Sequence, residues 1–241
     1  MRSFERSANE IRPLTFERGF TASPGGSVLV RWGSTTVLCT AMLEEGVPSF
    51  LIGGEKGWLT AEYAMLPGST RTRKARDSGR GKVDGRSTEI QRLVGRALRA
   101  CIDLRRMPGY TLYVDCDVLD ADGGTRTAAI NGAVVAVHDA LRDALAHGDL
   151  TVSPLTCMLS AVSVGRVDGE TLVDLDAGED NRAEVDMNVV TTDRDEYIEV
   201  QGTAERGAFD HAQLLRFLDA ARLGVHAVRA AQQAALREAL A

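Results

Sequence analysis

Apolar and polar positions alternate in short blocks through the first third of the chain. Segments 28–32, 35–43 and 58–66 are rich in β-branched and aromatic residues and are parted by Gly, Ser and Pro turns, the pattern of half-buried strands. A meander is the simplest way to pair them. The period then changes. Ile90, Leu93, Val94, Ala97, Leu98, Cys101 and Ile102 recur at three- and four-residue intervals, which lays one apolar stripe along a helix from about 87 to 105 that Pro108-Gly109 ends. Segment 112–117 alternates as a strand again. Asp122-Gly-Gly-Thr-Arg-Thr-Ala128 then leads into an Ala- and Val-rich stretch that reads as a buried helix to about His147.

The second half repeats this grammar, with strands expected at about 154–165, 167–175, 184–192 and 197–203 and a long helix from about Asp210 to the end. Strands followed by a helix thus occur twice. The expected fold is α+β, built from two similar halves, 1–150 and 151–241, although the sequence itself carries no detectable repeat. Leu214, Leu215, Leu218, Val225 and Val228 make the last helix core-facing, and Arg216, Arg222 and Arg229 interrupt it.

With 241 residues, 44% hydrophobic and 26% charged, the composition is that of an ordinary folded chain. The longest stretch free of charged residues, 150–165, is broken by Pro154, and a bilayer span needs about 20 apolar residues. No membrane helix is expected. Arg2, Glu5, Arg6 and Glu10 stand where a secretory signal needs an apolar run, so the expected location is the cytoplasm. Cys39, Cys101, Cys116 and Cys157 form no CxxC pair and read as reduced, mostly buried thiols. His138, His147, His211 and His226 have no metal-ligand spacing.

Charge changes the picture more. The net charge is −6, but residues 71–86 hold Arg71, Arg73, Lys74, Arg76, Arg80, Lys82 and Arg86 against Asp77 and Asp84, a local +5 that leaves −11 on the rest. Guanidinium groups on a loop poor in large apolar side chains suit phosphate contacts, because each planar fork offers paired donors. A solvated charge run is the other reading.

Three constellations could do chemistry. Gly123-Gly124-Thr125-Arg126 stands at a strand-to-helix junction, where glycines admit close backbone approach and helix N–H groups point at an anion; it is also a common turn. Arg86, at the start of the preceding helix, could meet the same anion, whereas Arg92 and Arg99 read as a surface or subunit-contact stripe. Asp174, Asp176, Glu179, Asp180, Glu184 and Asp186 form an acidic cluster suited to magnesium or to a solvated hairpin. One strand through 180–186 would put Asp180 and Asp186 on the same face.

Read together, these motifs resemble the ribonuclease PH family of bacterial, phosphate-dependent 3′-to-5′ exoribonucleases. The likeness runs from Arg12-Pro13 through Thr60-Ala-Glu-Tyr-Ala-Met-Leu-Pro67, Gly85-Arg-x-x-Glu-Ile-Gln-Arg-Leu-x-Gly-Arg96 and Asp115-Cys-Asp-Val-Leu-x-Ala-Asp-Gly-Gly-Thr-Arg-Thr-Ala128. It continues through Glu179-Asp180, Val185-Asp-Met-Asn-Val-Val190 and Glu199-Val-Gln-Gly-Thr203. The resemblance implies that Arg86, Gly124, Thr125 and Arg126 bind inorganic phosphate, that Asp180 and Asp186 hold Mg2+ and supply an acid, and that Arg73, Arg76 and Arg71 contact RNA. Two departures are visible. Pro67-Gly68-Ser69-Thr70 replaces the family's Pro-Arg-x-Thr, so Arg71 lies one step past Thr70, and Ala177-Gly-Glu-Asp-Asn181 replaces Tyr-x-Glu-Asp-Ser.

The implied reaction is attack of inorganic phosphate on the terminal phosphodiester of RNA, releasing nucleoside diphosphates and running in reverse as 3′ addition. Implied partners are tRNA precursors with 3′ trailers, with rRNA as a further candidate, and five further copies of the chain in a homohexamer built as a trimer of dimers. A silent RNA-binding ring scaffold and a hydrolytic magnesium nuclease are the alternatives.

Overall fold

Strands β1 (Leu14–Arg18), β2 (Gly26–Trp32) and β3 (Thr35–Glu45) pair antiparallel in chain order, as in a meander. The computed structural model describes residues 2–76, 81 and 84–238. Next in the chain, β4 (Trp58–Met65) does not extend the meander. Instead β5 (Tyr110–Asp120) inserts between β3 and β4, antiparallel to one and parallel to the other, giving the order β1-β2-β3-β5-β4. The expected meander fails there for a physical reason. A parallel pair needs a long crossover, and the basic loop with helix α1 (Gly85–Ala100) supplies it.

Helix α1 stops short of the expected 105. Ile102 leaves it to bridge Leu155, and the Cys101 carbonyl accepts a 2.8 Å bond from the Thr156 N–H. The same contacts occupy 154–156, so β6 begins only at Leu159 (Leu159–Val167). It joins β7 (Glu170–Val173), β8 (Val185–Thr192) and β9 (Tyr197–Ala204) in a second, antiparallel sheet of order β7-β6-β8-β9. Strand β1 had no signal of its own. Among its five residues only Phe16 is buried, too little for an alternating pattern to show.

Helix α2 (Thr125–His147) lies between the sheets and is apolar on almost every side, as an Ala- and Val-rich stretch must be to sit there. At Gly132 a Cβ would come within 2.4 Å of Val30, so only glycine lets the helix approach β2 and β3 this closely. Toward the second sheet, Asn131 exchanges two hydrogen bonds with the backbone of Ala161, at 2.7 and 2.8 Å, leaving no buried amide unpaired there. Helix α4 (His211–Arg237) covers the opposite face of β6, with Gly224 against Val162 and Val173 and Gln232 bonded to Ser160 at 2.9 Å. The result is the expected α+β arrangement of two sheets and their helices around one core. All four cysteines are buried, unpaired thiols. No described helix is long and apolar enough to cross a membrane.

Candidate functional site

The first helical residue of α2 sets the site. Gly123 and Gly124 both adopt left-handed backbone, with φ of 78° and 66°. A Cβ at Gly123 would lie 2.7 Å from the backbone of residues 175–177, so this turn requires glycine. Gly124 caps α2 without a side chain, so the first-turn N–H groups stay open to an anion. They face a cavity of about 410 Å3 lined by Arg86, Gly124, Thr125, Arg126, Asp180 and Asp186, among others. Every residue expected to hold phosphate or metal therefore meets in one place.

Neighbours preset these groups. The Tyr63 hydroxyl, buried on β4, donates to the Thr125 hydroxyl at 2.8 Å, which leaves the threonine's own hydrogen to donate into the cavity. Burial pushes the Tyr63 hydroxyl pKa up, so it stays a donor. Arg86 reaches the cavity from the start of α1. That helix is capped by Asp84, which accepts from the Ser87 N–H at 2.6 Å and pairs with Lys74 at 2.6 Å. The Lys74 contact and the cap bond hold the Asp84 carboxyl down at about 2. Arg126 is braced from its far side by Gln201 at 2.9 Å and Glu89 at 3.3 Å.

The acidic cluster divides into two kinds. Asp174 pairs with Arg12 and Arg6, Asp176 caps the short helix α3 (Ala177–Asp180), Glu179 holds Arg2 and Arg6, and Glu184 holds Arg166. These acids are committed to structure. Asp180 and Asp186 face the cavity, but not by strand alternation: Asp180 ends α3 and Asp186 lies on β8, so a helix and a strand bring them together. Burial raises Asp186 to about 6, with the negative Asp180 beside it adding to the rise. Burial raises Asp180 as well, against the opposing charges of Arg86 and Arg126. Two crowded carboxylates fit a hard divalent cation that takes its other ligands from water and phosphate oxygens. Among the described residues no three His, Cys, Asp or Glu side chains form a fuller metal group.

Arg71, Arg73 and Arg76 are exposed on the loop and have no ion-pair partner among the described residues. Lys74 is turned inward to Asp84 and leaves the free basic surface. Asp77, Arg80 and Lys82 of that basic window lie outside the described residues. A second cavity of about 480 Å3 shares Arg86, Gly124, Thr125 and Asp180 with the first and runs past Thr70, Thr72 and Lys74 to the base of the loop. Tyr63, Glu89, Ser163, Asn188 and Gln201 are site residues that pattern reading missed. The signal available for Tyr63, Glu89, Asn188 and Gln201 was their place inside the motifs quoted above.

A family model described as the 3′ exoribonuclease family, domain 1, matches residues 10–143, and domain 2 of the same family matches 157–223. Rice (Oryza sativa) Rrp46 superposes with a TM-score of 0.78 at 19% identity, covering 98% of this chain and 100% of that one. The Archaeoglobus fulgidus exosome with RNA bound to the active site gives 0.80 at 21%, covering 93% and 89%. An archaeal exosome core gives 0.76 at 21%, covering 95% and 89%. These structures share the fold.

Proposed function

The chain belongs to the 3′ exoribonuclease family, and from that premise we propose that it is a phosphorolytic 3′-to-5′ exoribonuclease that trims tRNA precursors and other RNA. The observation that carries this reading is the cavity that joins the Arg86 and Arg126 guanidiniums and an open helix N-terminus to the Asp180–Asp186 pair, without an activated side-chain nucleophile. Ser163, which lines it, accepts a bond from the Leu175 N–H at 3.0 Å and has no histidine beside it. An external nucleophile fits such a site.

Inorganic phosphate sits on the Gly124 and Thr125 N–H groups and the Thr125 hydroxyl, flanked by Arg86 and Arg126, so binding supplies orientation and charge neutralisation. RNA enters along the second cavity from the basic loop, where Arg73, Arg76 and Arg71 grip its backbone. A phosphate oxygen attacks the terminal phosphorus. The new P–O bond forms as the bond to the penultimate 3′-oxygen breaks, and Asp186 passes that oxygen a proton taken up from solvent. Asp180 and Asp186 would hold magnesium, which when bound offsets charge building on the phosphoryl oxygens. The products are a nucleoside diphosphate and RNA one residue shorter. Since a diester is exchanged for an anhydride, excess nucleoside diphosphate drives 3′ addition.

Incubation with a tRNA carrying a short 3′ trailer, magnesium, and phosphate or none, read by mass spectrometry, tests the proposal. Nucleoside diphosphates released only with phosphate are expected. Monophosphates formed without phosphate would mean hydrolysis, and bound but uncut RNA would mean a silent scaffold.

A further inference from the structure

Arg12 is 1% exposed and lies behind the phosphate cradle, outside the cavity. Burial alone would pull its guanidinium pKa down, but hydrogen bonds to Asp174 and the charge of that carboxylate outweigh the loss. Its Nη2 donates to Asp174 Oδ1 at 2.6 Å and its Nε to Oδ2 at 3.0 Å, and its backbone N–H adds a 2.6 Å bond to Oδ2. Asp174, itself fully buried, holds φ at 57°, a conformation costly for a residue with a side chain. That cost is accepted to aim one carboxylate at Arg12.

What Arg12 does with its remaining donors is the informative part. Nη1 bonds the Asp122 carbonyl at 2.5 Å, and Nη2 reaches the Gly123 carbonyl at 3.4 Å. Thr35, at the start of β3, donates to the same Gly123 carbonyl at 2.7 Å and accepts the Asp122 N–H at 3.0 Å. In a trans peptide the C=O and the following N–H point in opposite directions. Fastening the Gly123 carbonyl to Arg12 and Thr35 therefore turns the Gly124 N–H the other way. The guanidinium also packs directly under the turn, since a Cβ on Gly124 would lie 3.0 Å from Nη2.

We infer that Arg12, clamped by Asp174 and helped by Thr35, is a positioning residue that presets the peptide planes of 122–124 so that the cradle N–H groups already face phosphate. This rests on the phosphate site proposed above. Arg12 touches neither phosphate nor RNA, and its role is to remove the cost of ordering a two-glycine turn when the anion arrives.

Arg18 supplies the structural comparison. It forms a partly buried pair with Asp139, 2.5 Å long, toward the other end of α2 and away from the cradle. Arg12→Lys, Thr35→Val and Arg18→Lys are assayed for nucleoside diphosphate release across a phosphate titration, with RNA affinity by anisotropy and Tm recorded alongside. Arg12→Lys is expected to raise the KM for phosphate about tenfold and Thr35→Val about threefold, with RNA Kd unchanged and kcat at saturating phosphate within about threefold. Arg18→Lys should lower Tm and leave that KM alone. If Arg12→Lys fails to fold, Thr35→Val decides. Phosphate-dependent wild type with unmoved KM in the cradle variants, or an equal shift in Arg18→Lys, overturns the inference alone. A wild type that needs no phosphate overturns the phosphate site with it.

Discussion

Asp186 shows how a single side chain carries function at a cost to the fold. Burial and the neighbouring Asp180 lift it from an ordinary 3.8 to about 6. Between those values the folded protein binds a proton that the unfolded chain has released, so stability falls as pH rises through that window. With a chelator present, Asp186→Asn should therefore be more stable than wild type above pH 6, by on the order of 2 kcal/mol, with the gain fading toward pH 4. Urea melts at pH 8 and pH 4 read this directly, and an equal difference at both pH values would refute the burial argument. The same substitution should abolish phosphorolysis. Arg126→Ala is the complementary case: it removes a phosphate donor while leaving the loop arginines in place. Its KM for phosphate should rise at least tenfold with RNA affinity retained, and an unchanged KM would take Arg126 out of the cradle. Residue chemistry of this kind was partly legible in the sequence. The motif around Asp180 and Asp186 named the acids, but Asp174, Asp176 and Glu179 are drawn away from the cavity by arginines from residues 2–12, which lie more than 160 positions away.

At the scale of elements, the long periodic stretches were readable and the short or interrupted ones were not. The stripe from Ile90 to Leu98 places α1 by period, whereas the Ala/Val run of α2, apolar on almost every side, reads as a buried helix by composition. The early end of α1 and late start of β6 depend on a bridge between Ile102 and Leu155, a tertiary contact with no local trace. The basic loop was legible as composition. Its neck was not, because the Lys74–Asp84 pair joins two residues that composition counts only as opposite charges. One consequence is a division of labour between inward Lys74 and outward Arg73 and Arg76. Arg73→Ala with Arg76→Ala should weaken RNA binding and lower the slope of log K against log salt by about two, one for each phosphate no longer neutralised. Anisotropy titrations at several salt concentrations measure that slope, and an unaltered slope would make these arginines bystanders. Phosphate KM should not move.

For the whole molecule, the fold class followed from the alternation of strand and helix patterns, whereas the sheet order did not. Alternation says which residues share a face; it does not say that β5 will part β3 from β4. Assembly lies further still from the single chain. Phe50 is 69% and Ile52 76% exposed here, apolar surface available for contacts between copies. If the proposed hexamer forms, sedimentation should give six times the 25.9 kDa chain mass, about 155 kDa; a monomer at working concentration would remove the ring. The parallel pairing of β4 with β5 has a separate consequence for the covalent chain. The loop between those strands is a connection whose ends are each secured without it, one by the sheet and the other by α1 against β4. Limited trypsin digestion at Arg73 or Arg76 should therefore cut the backbone and yet yield one particle, its two fragments parting only in denaturant. Such a nicked protein would keep its phosphate cradle whole and lose its hold on RNA.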